Sequence, residues 1–267
     1  MNKTPIFSVD SISAKYGKKE ILKNISFELN PHTLTCLIGK NGCGKTTLLK
    51  CIVNQISHGG SSVLQGEELE KKSIRGLARV VSYIPQKSGI SISLPALEVV
   101  LMGFNPVLKI LGRPSKKQVE LAKQALKDVG MGEYEMQDFQ TLSEGQKQLV
   151  LLARTMIEDT TLMLLDEPDS ALDFQNRHLV LQQLRKMVQE KEMAGLLCLH
   201  DPMLAMELCD QLILMQGGNC IHVLRPQEDS LEQMEKALQE IYPQVSLVEC
   251  TDKNGKRHFT WLWEDTR

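Results

Sequence analysis

No uncharged apolar run in this sequence is long enough to cross a bilayer: residues 149–153 stop at Arg154 and 162–165 stop at Asp166, against the roughly 20 residues a spanning helix needs. Charge of one sign is missing too. Lys and Arg total 31 against 33 for Asp and Glu, so a net charge of -2 offers no field to draw nucleic acid or anionic lipid. The seven cysteines (36, 43, 51, 198, 209, 220 and 250) are scattered and include no Cys-x-x-Cys pair, which argues against a disulfide framework or a zinc site. Residues 1–10 hold no basic stretch followed by an apolar one, so no secretory signal is expected and the cytosol is the expected compartment. Internal repeats, low-complexity tracts and long linkers are also lacking. With 42% hydrophobic residues in a chain of 267, there is enough material to bury one large domain, or one domain with an inserted lobe.

The pattern that is present alternates. Residues 6–29 switch between apolar and polar around Tyr16-Gly17-Lys18, with Ile25, Phe27 and Leu29 on one face, and predict an N-terminal antiparallel β lobe. Residues 33–38 read as a strand that runs into a glycine-rich loop, and 45–56 have helical spacing. After a short strand at 80–84, closed by Pro85, the period turns helical over 97–102 and 115–129, with Ser115 as N-cap. Residues 87–141 are therefore expected to form a helical lobe inserted in the core. Helix at 143–156, strand at 161–165, helix at 174–190 and strand at 195–199 alternate as in a buried parallel sheet. Gly217-Gly218-Asn219 predicts a hairpin between 211–215 and 220–224. Residues 226–267 read as an extension with a helix at 230–241 and strands at 245–250 and 258–263, and bear no evident chemistry.

Three motifs point to phosphate chemistry. Gly39-Lys-Asn-Gly-Cys-Gly-Lys45-Thr46 fits G-x-x-x-x-G-K-[ST] and sits after a strand and before a helix. Glycines there let backbone N–H groups turn toward phosphate oxygens, and the helix N-terminus adds partial positive charge. Lys45 would reach the β and γ phosphates and the Thr46 hydroxyl would join Mg²⁺. Second, Leu162-Met-Leu-Leu-Asp166-Glu167 is an apolar strand ending in two carboxylates, as in a Walker B element. Asp166 would hold Mg²⁺ through water, and Glu167, pointing elsewhere, would act as general base or orient the attacking water. Taken alone, such a pair equally suits an ordinary loop start. Third, Leu142-Ser143-Glu144-Gly145-Gln146 precedes the helical stripe Leu149, Leu152, Ala153, Met156 and offers a hydroxyl and free N–H groups to an anion.

The third motif resembles the signature of the ABC ATPases, and its place about 20 residues before the carboxylate pair follows that family's order. The resemblance covers residues 6–223 and implies a P-loop NTPase (RecA-like) α/β core with an antiparallel β lobe and a helical lobe, the ABC domain spanning 1–225. It implies ATP contacts from Tyr16 (stacking on adenine), Gly39, Asn41, Gly42, Cys43, Gly44, Lys45, Thr46 and Thr47. Gln86 is similar to the glutamine that touches Mg²⁺, and His200 to the switch histidine that senses the γ-phosphate. Ser143, Gly145 and Gln146, with Asp173 of Ser170-Ala-Leu-Asp173, are expected to act across a dimer. As isolated residues, a Tyr near a strand turn is usually packing and a His after a strand is more often a satisfied polar residue.

Two departures stand out: Glu144 and Asp169 occupy positions where the family commonly has Gly and Thr. Cys43, near a helix N-terminus, is expected to be alkylated unless ATP protects it. The resemblance further implies Mg–ATP hydrolysis on the cytoplasmic face of the membrane, a second ATPase copy, and a separate integral membrane permease docking near residues 89–104. An extracytoplasmic substrate-binding protein would join indirectly, and no nucleic acid is expected. Residues 94–104 and 200–210 resemble importers of iron-siderophores, haem and cobalamin. Two other readings stay open: an ABC ATPase of translation or DNA repair, and a nucleotide-gated protein without catalysis.

Overall fold

The computed structural model describes residues 4–86, 89–109 and 112–263. Strands β1 (Phe7–Tyr16) and β2 (Lys19–Leu29) pair antiparallel across a turn in which Gly17 takes φ +57°. Phe7, Val9, Ile12 and Ala14 are buried along β1, and a bulge at Ser11 keeps them on the core side. Strand β3 (Leu34–Ile38) is buried along its whole length and leads through the glycine loop into α1 (Lys45–Ile52). That helix is shorter than the expected 45–56, because Asn54 turns left-handed at φ +57° and its side chain donates to the Leu69 carbonyl at 2.9 Å.

Strand β4 (Gly59–Leu64) completes the N-terminal sheet, whose order is β2-β1-β4 followed by the two-residue β5 (Glu67–Glu68). Gly-Gly-Ser-Ser carries little strand propensity. It pairs with β1 because β1 offers an open backbone edge, and at Gly60 (φ +83°) a Cβ would meet the Asp10 carbonyl oxygen at 2.4 Å. After α2 (Ile74–Leu77) comes β6 (Val81–Ile84).

The helical lobe holds α3 (Ala96–Leu101), continued by a 3₁₀ turn at Met102–Phe104, and α4 (Lys116–Asp128), which Ser115 opens with a capping box to Gln118. The expected lobe start, Lys87, lies outside the described residues. Helix α5 (Glu144–Ile157) packs on both α3 and α4, so the lobe's apolar body runs past 141. Gly103 permits this closeness, since a Cβ there would sit 3.0 Å from the Arg154 carbonyl oxygen.

Strand β7 (Leu162–Asp166), α6 (Phe174–Glu190), β8 (Ala194–Cys198), α7 (Pro202–Leu208), β9 (Gln211–Gln216) and β10 (Asn219–Leu224) complete the central sheet, in the order β10-β9-β3-β8-β7-β6. All neighbours are parallel except β10, which returns antiparallel through the Gly217-Gly218 turn. Alternate strand residues enter two different cores. Cys36, Leu165, Leu197 and Leu214 face the layer shared with α5 and α6, whereas Leu37, Leu164, Leu196 and Ile213 face the layer shared with α1 and the N-terminal sheet. Covering both faces explains the nearly continuous apolar runs. The carboxyl ends of β3, β6, β7 and β8 consequently open at one rim, where α/β sheets place their ligands.

The segment after Arg225 builds α8 (Leu231–Ile241) and a hairpin of β11 (Val245–Thr251) and β12 (Arg257–Trp263). It has no core of its own: Met234, Leu238, Ile241 and Leu247 are buried in the same cluster as the central strands. No helix among the described residues is long and apolar enough to cross a membrane.

Candidate nucleotide site

The loop after β3 needs glycine for steric reasons. Gly42 and Gly44 adopt φ of +78° and +114°, and a Cβ on Gly39 would meet the Met215 carbonyl oxygen at 2.3 Å. Lys45, only 5% exposed, folds back along the loop and donates from Nζ to the Gly39 carbonyl at 2.7 Å. A buried ammonium is thereby held against the backbone that it must partly leave to meet a phosphate.

The carboxylate pair ends β7. Asp166 is buried; its Oδ1 accepts from the Thr46 hydroxyl at 3.0 Å, while Oδ2 is enclosed without a hydrogen-bond partner. Burial pushes its carboxyl up, Thr46 opposes the rise, and the neighbouring Glu167 adds to it. Glu167 stands at φ +54°, a left-handed conformation rare outside glycine that turns its side chain away from that of Asp166. Its Oε2 accepts from Gln86 Nε2 at 2.5 Å, and its Oε1 lies 2.7 Å from His200 Nε2. One carboxylate thus sits between residues brought in by the ends of β6 and β8.

These groups line a cleft of about 460 Å³ together with Tyr16, Asn41, Gly42, Gly44, Lys45, Thr46 and Thr47. Tyr16, 54% exposed, stands with Lys19 and Ile21 in this lining. Neither of the latter two was singled out from sequence, although Lys19 pairs directly with Tyr16 across the turn. Gly39, Cys43 and Asp166 are not in the lining. Cys43 is buried in the apolar layer that includes Leu48 and Leu49, which corrects the expectation of a reactive thiol: the loop would have to open before a reagent reached it.

Ser143, Gly145, Gln146 and Asp173 lie apart from this cleft's lining. Ser143 caps α5: its hydroxyl accepts from the Gln146 N–H at 3.2 Å, and its own N–H donates to Gln146 Oε1 at 3.0 Å. Because Ser143 Oγ accepts there, its proton stays available to an anion outside the helix. A Cβ on Gly145 would meet the Ala171 carbonyl oxygen at 2.8 Å, so only glycine lets α5 start this close to the loop after Glu167. Asp173 caps α6, accepting from the Asn176 N–H at 2.8 Å.

A family model described as "ABC transporter" matches residues 22–170. The chain belongs to the ABC transporter family, as an ATP-binding protein. It is 33% identical over 229 residues to an uncharacterised ABC transporter ATP-binding protein of Haemophilus influenzae, covering 83% of this chain and 87% of that one. A probable iron chelatin transport ATP-binding protein of Helicobacter pylori is 32% identical over 219 residues, covering 79% and 84%. Among solved structures, a metal-chelate type ABC transporter in an inward-facing conformation superposes with a TM-score of 0.79 at 24% identity, covering 97% of this chain and 98% of that chain. The α/β fold expected from the motifs is therefore the ABC ATPase fold, and the activity is that of an ATPase.

Within this ABC ATPase, Asp169 has an explanation in its neighbours. It is buried and ion-paired to Arg177 of α6 at 3.3 Å, with burial raising its carboxyl against the pull of Arg177. Arg177→Ala is expected to cost about 2 kcal/mol by leaving that carboxylate alone, and adding Asp169→Thr should recover most of the loss in urea unfolding. A double variant no more stable than Arg177→Ala would dissolve the pairing.

Proposed function

We propose that this ABC ATPase binds Mg–ATP in the glycine-loop cleft and hydrolyses it in a head-to-tail pair, driving import through a separate membrane permease. The observation that carries the reading is Glu167, clasped by Gln86 and His200 in a cleft also lined by Thr46, whose hydroxyl donates to Asp166 behind the lining. The unpartnered Asp166 Oδ2 and the raised carboxyl fit a divalent cation, which Asp166, Thr46 and Gln86 would hold with few protein ligands, as Mg²⁺ prefers. When bound, that ion neutralises charge developing on the phosphate oxygens.

The chain's own groups supply the rest. Lys45 leaves the Gly39 carbonyl for the β and γ phosphates, Tyr16 stacks on adenine, and loop N–H groups from residues 39–47 hold the phosphate chain. Glu167 orients the attacking water and takes its proton, while His200 supports the carboxylate and the γ-phosphate. Ser143, Gly145 and Gln146, absent from this cleft, complete that of a second copy, with the Asp173 loop at the seam. Isologous pairing satisfies both half-sites at once. ATP closes the pair, hydrolysis opens it, and the permease reads the movement.

The permease is proposed to meet residues 89–104, where Ile92 is exposed, on the cytoplasmic face, with an extracytoplasmic binding protein delivering cargo. An iron-chelate cargo is the proposal that the Helicobacter relative's name supports. The test is Ser143→Ala in the purified protein. Turnover should fall about 100-fold, as for loss of one donor to the transition state, with Mg–ATP binding to the monomer unchanged. Undiminished turnover would end the paired mechanism, and copurification with a soluble partner instead of a polytopic membrane protein would end the import reading.

A further inference from the structure

The C-terminal segment showed no chemistry in sequence, yet it reaches the back of the nucleotide site. Helix α8 ends at Ile241, which is fully buried, and the next residue, Tyr242, shares a cleft of about 310 Å³ with Lys40 of the glycine loop. The Tyr242 ring meets Trp261 of β12 edge-on, centroids 5.7 Å apart. Its phenol is pushed up by burial and then by the neighbouring Cys43, Cys36 and Asp201. These neighbours come from the glycine loop, from β3 beneath it and from the cap of α7, the helix that starts just after His200.

Other bonds tie the segment to the same elements. Gln216, next to the Met215 carbonyl against which Gly39 packs, donates to the Glu240 carbonyl at 3.0 Å. Lys256 donates to the Glu207 carbonyl in the last turn of α7 at 3.3 Å, and β12 packs along α7. Tyr242 therefore lies behind the phosphate loop, across a cleft from Lys40, on a segment tied both to the strand end against which Gly39 packs and to α7, which starts just after His200.

We infer that Tyr242, braced by Trp261, is a positioning residue for nucleotide binding, holding the glycine loop against the start of α7. This rests on the reading that the glycine loop binds Mg–ATP. Losing the ring would leave a void behind the loop, so part of the binding energy would go into ordering it. Lys45 and the loop N–H groups would contact the phosphates less tightly, while Glu167 and His200, once nucleotide is seated, would act as before. The effect therefore falls on affinity and KM, not on kcat.

Mg–ATP binding by the full-length chain, measured calorimetrically, and the KM and kcat of its ATPase together test this. Tyr242→Ala is expected to weaken binding and raise KM about fivefold to tenfold, with kcat little changed, and Tyr242→Phe should restore both. Met234→Ala, which empties a buried position near the start of α8 and outside the cleft that Tyr242 shares with Lys40, controls for stability: it should lower the melting temperature and leave affinity alone. Should Tyr242→Ala fail to fold, Tyr242→Leu carries the same expectation. Wild-type affinity in Tyr242→Ala or Tyr242→Leu, or an equal loss in Met234→Ala, would overturn the inference by itself. A wild-type chain that binds no Mg–ATP would overturn the underlying reading as well.

Discussion

Glu167→Gln is expected to leave Mg–ATP bound and to stop its hydrolysis, with a loss of about 10²- to 10⁴-fold, the usual contribution of a positioned base. The carboxylate receives Gln86 on one oxygen and faces His200 on the other. An amide of the same shape keeps one acceptor but presents a donor where the second oxygen stood, and it cannot take a proton from water. Lys45, Thr46 and the loop N–H groups are untouched, so nucleotide should still draw two copies together. The paired state, deprived of its exit by hydrolysis, should accumulate. Size-exclusion chromatography with ATP and single-turnover assays read the two consequences separately. Hydrolysis within about tenfold of wild type, at most about 1.4 kcal/mol of barrier, would remove Glu167 from the role of base.

Lys45→Ala should act at the earlier step. Its ammonium is buried and held by the Gly39 carbonyl at 2.7 Å, so the positive charge is already out of water before nucleotide arrives. A phosphate gives that charge a better partner than a single carbonyl can. Removing it should weaken Mg–ATP about 10- to 100-fold, from the ~1.5–3 kcal/mol of a hydrogen bond to a charged group. The variant also leaves the Gly39 carbonyl without this donor. Thermal unfolding without nucleotide should therefore accompany the binding titration, and a protein that melts normally yet binds as wild type would refute the assignment.

Some of this was visible in the chain itself. The glycine loop, the N-cap at Ser115 and the apolar strand ending in Asp166 are stretches of a few residues whose conformations follow from sterics and local hydrogen bonds. Asp201-Pro202 is a helix start of the same kind: Asp201 caps α7 with bonds to Met203 and Leu204, a signal present in the sequence that went unread. Strand β4 was not readable, because Gly59 extends only through pairing with Ser13 of β1 and Gly60 takes a left-handed bulge conformation beside it. Burial of Cys43 was unreadable too, since its position in a phosphate motif says nothing about which way its side chain turns.

Local rules, acting within single turns and strands, pointed from sequence alone to a phosphate-binding loop, to two carboxylates at the end of a buried strand, and to a serine at the start of the signature helix. Only the packed molecule could bring Gln86, Glu167 and His200 together, because their meeting depends on β6, β7 and β8 lying side by side at one rim of the sheet. Only packing could carry Tyr242 behind the glycine loop, since α8 and its hairpin share the main apolar core. Strand order and burial arise from contacts between residues far apart in the chain. Such contacts leave no short-range pattern of their own, so the fold had to be seen before the arrangement around Glu167 could be known.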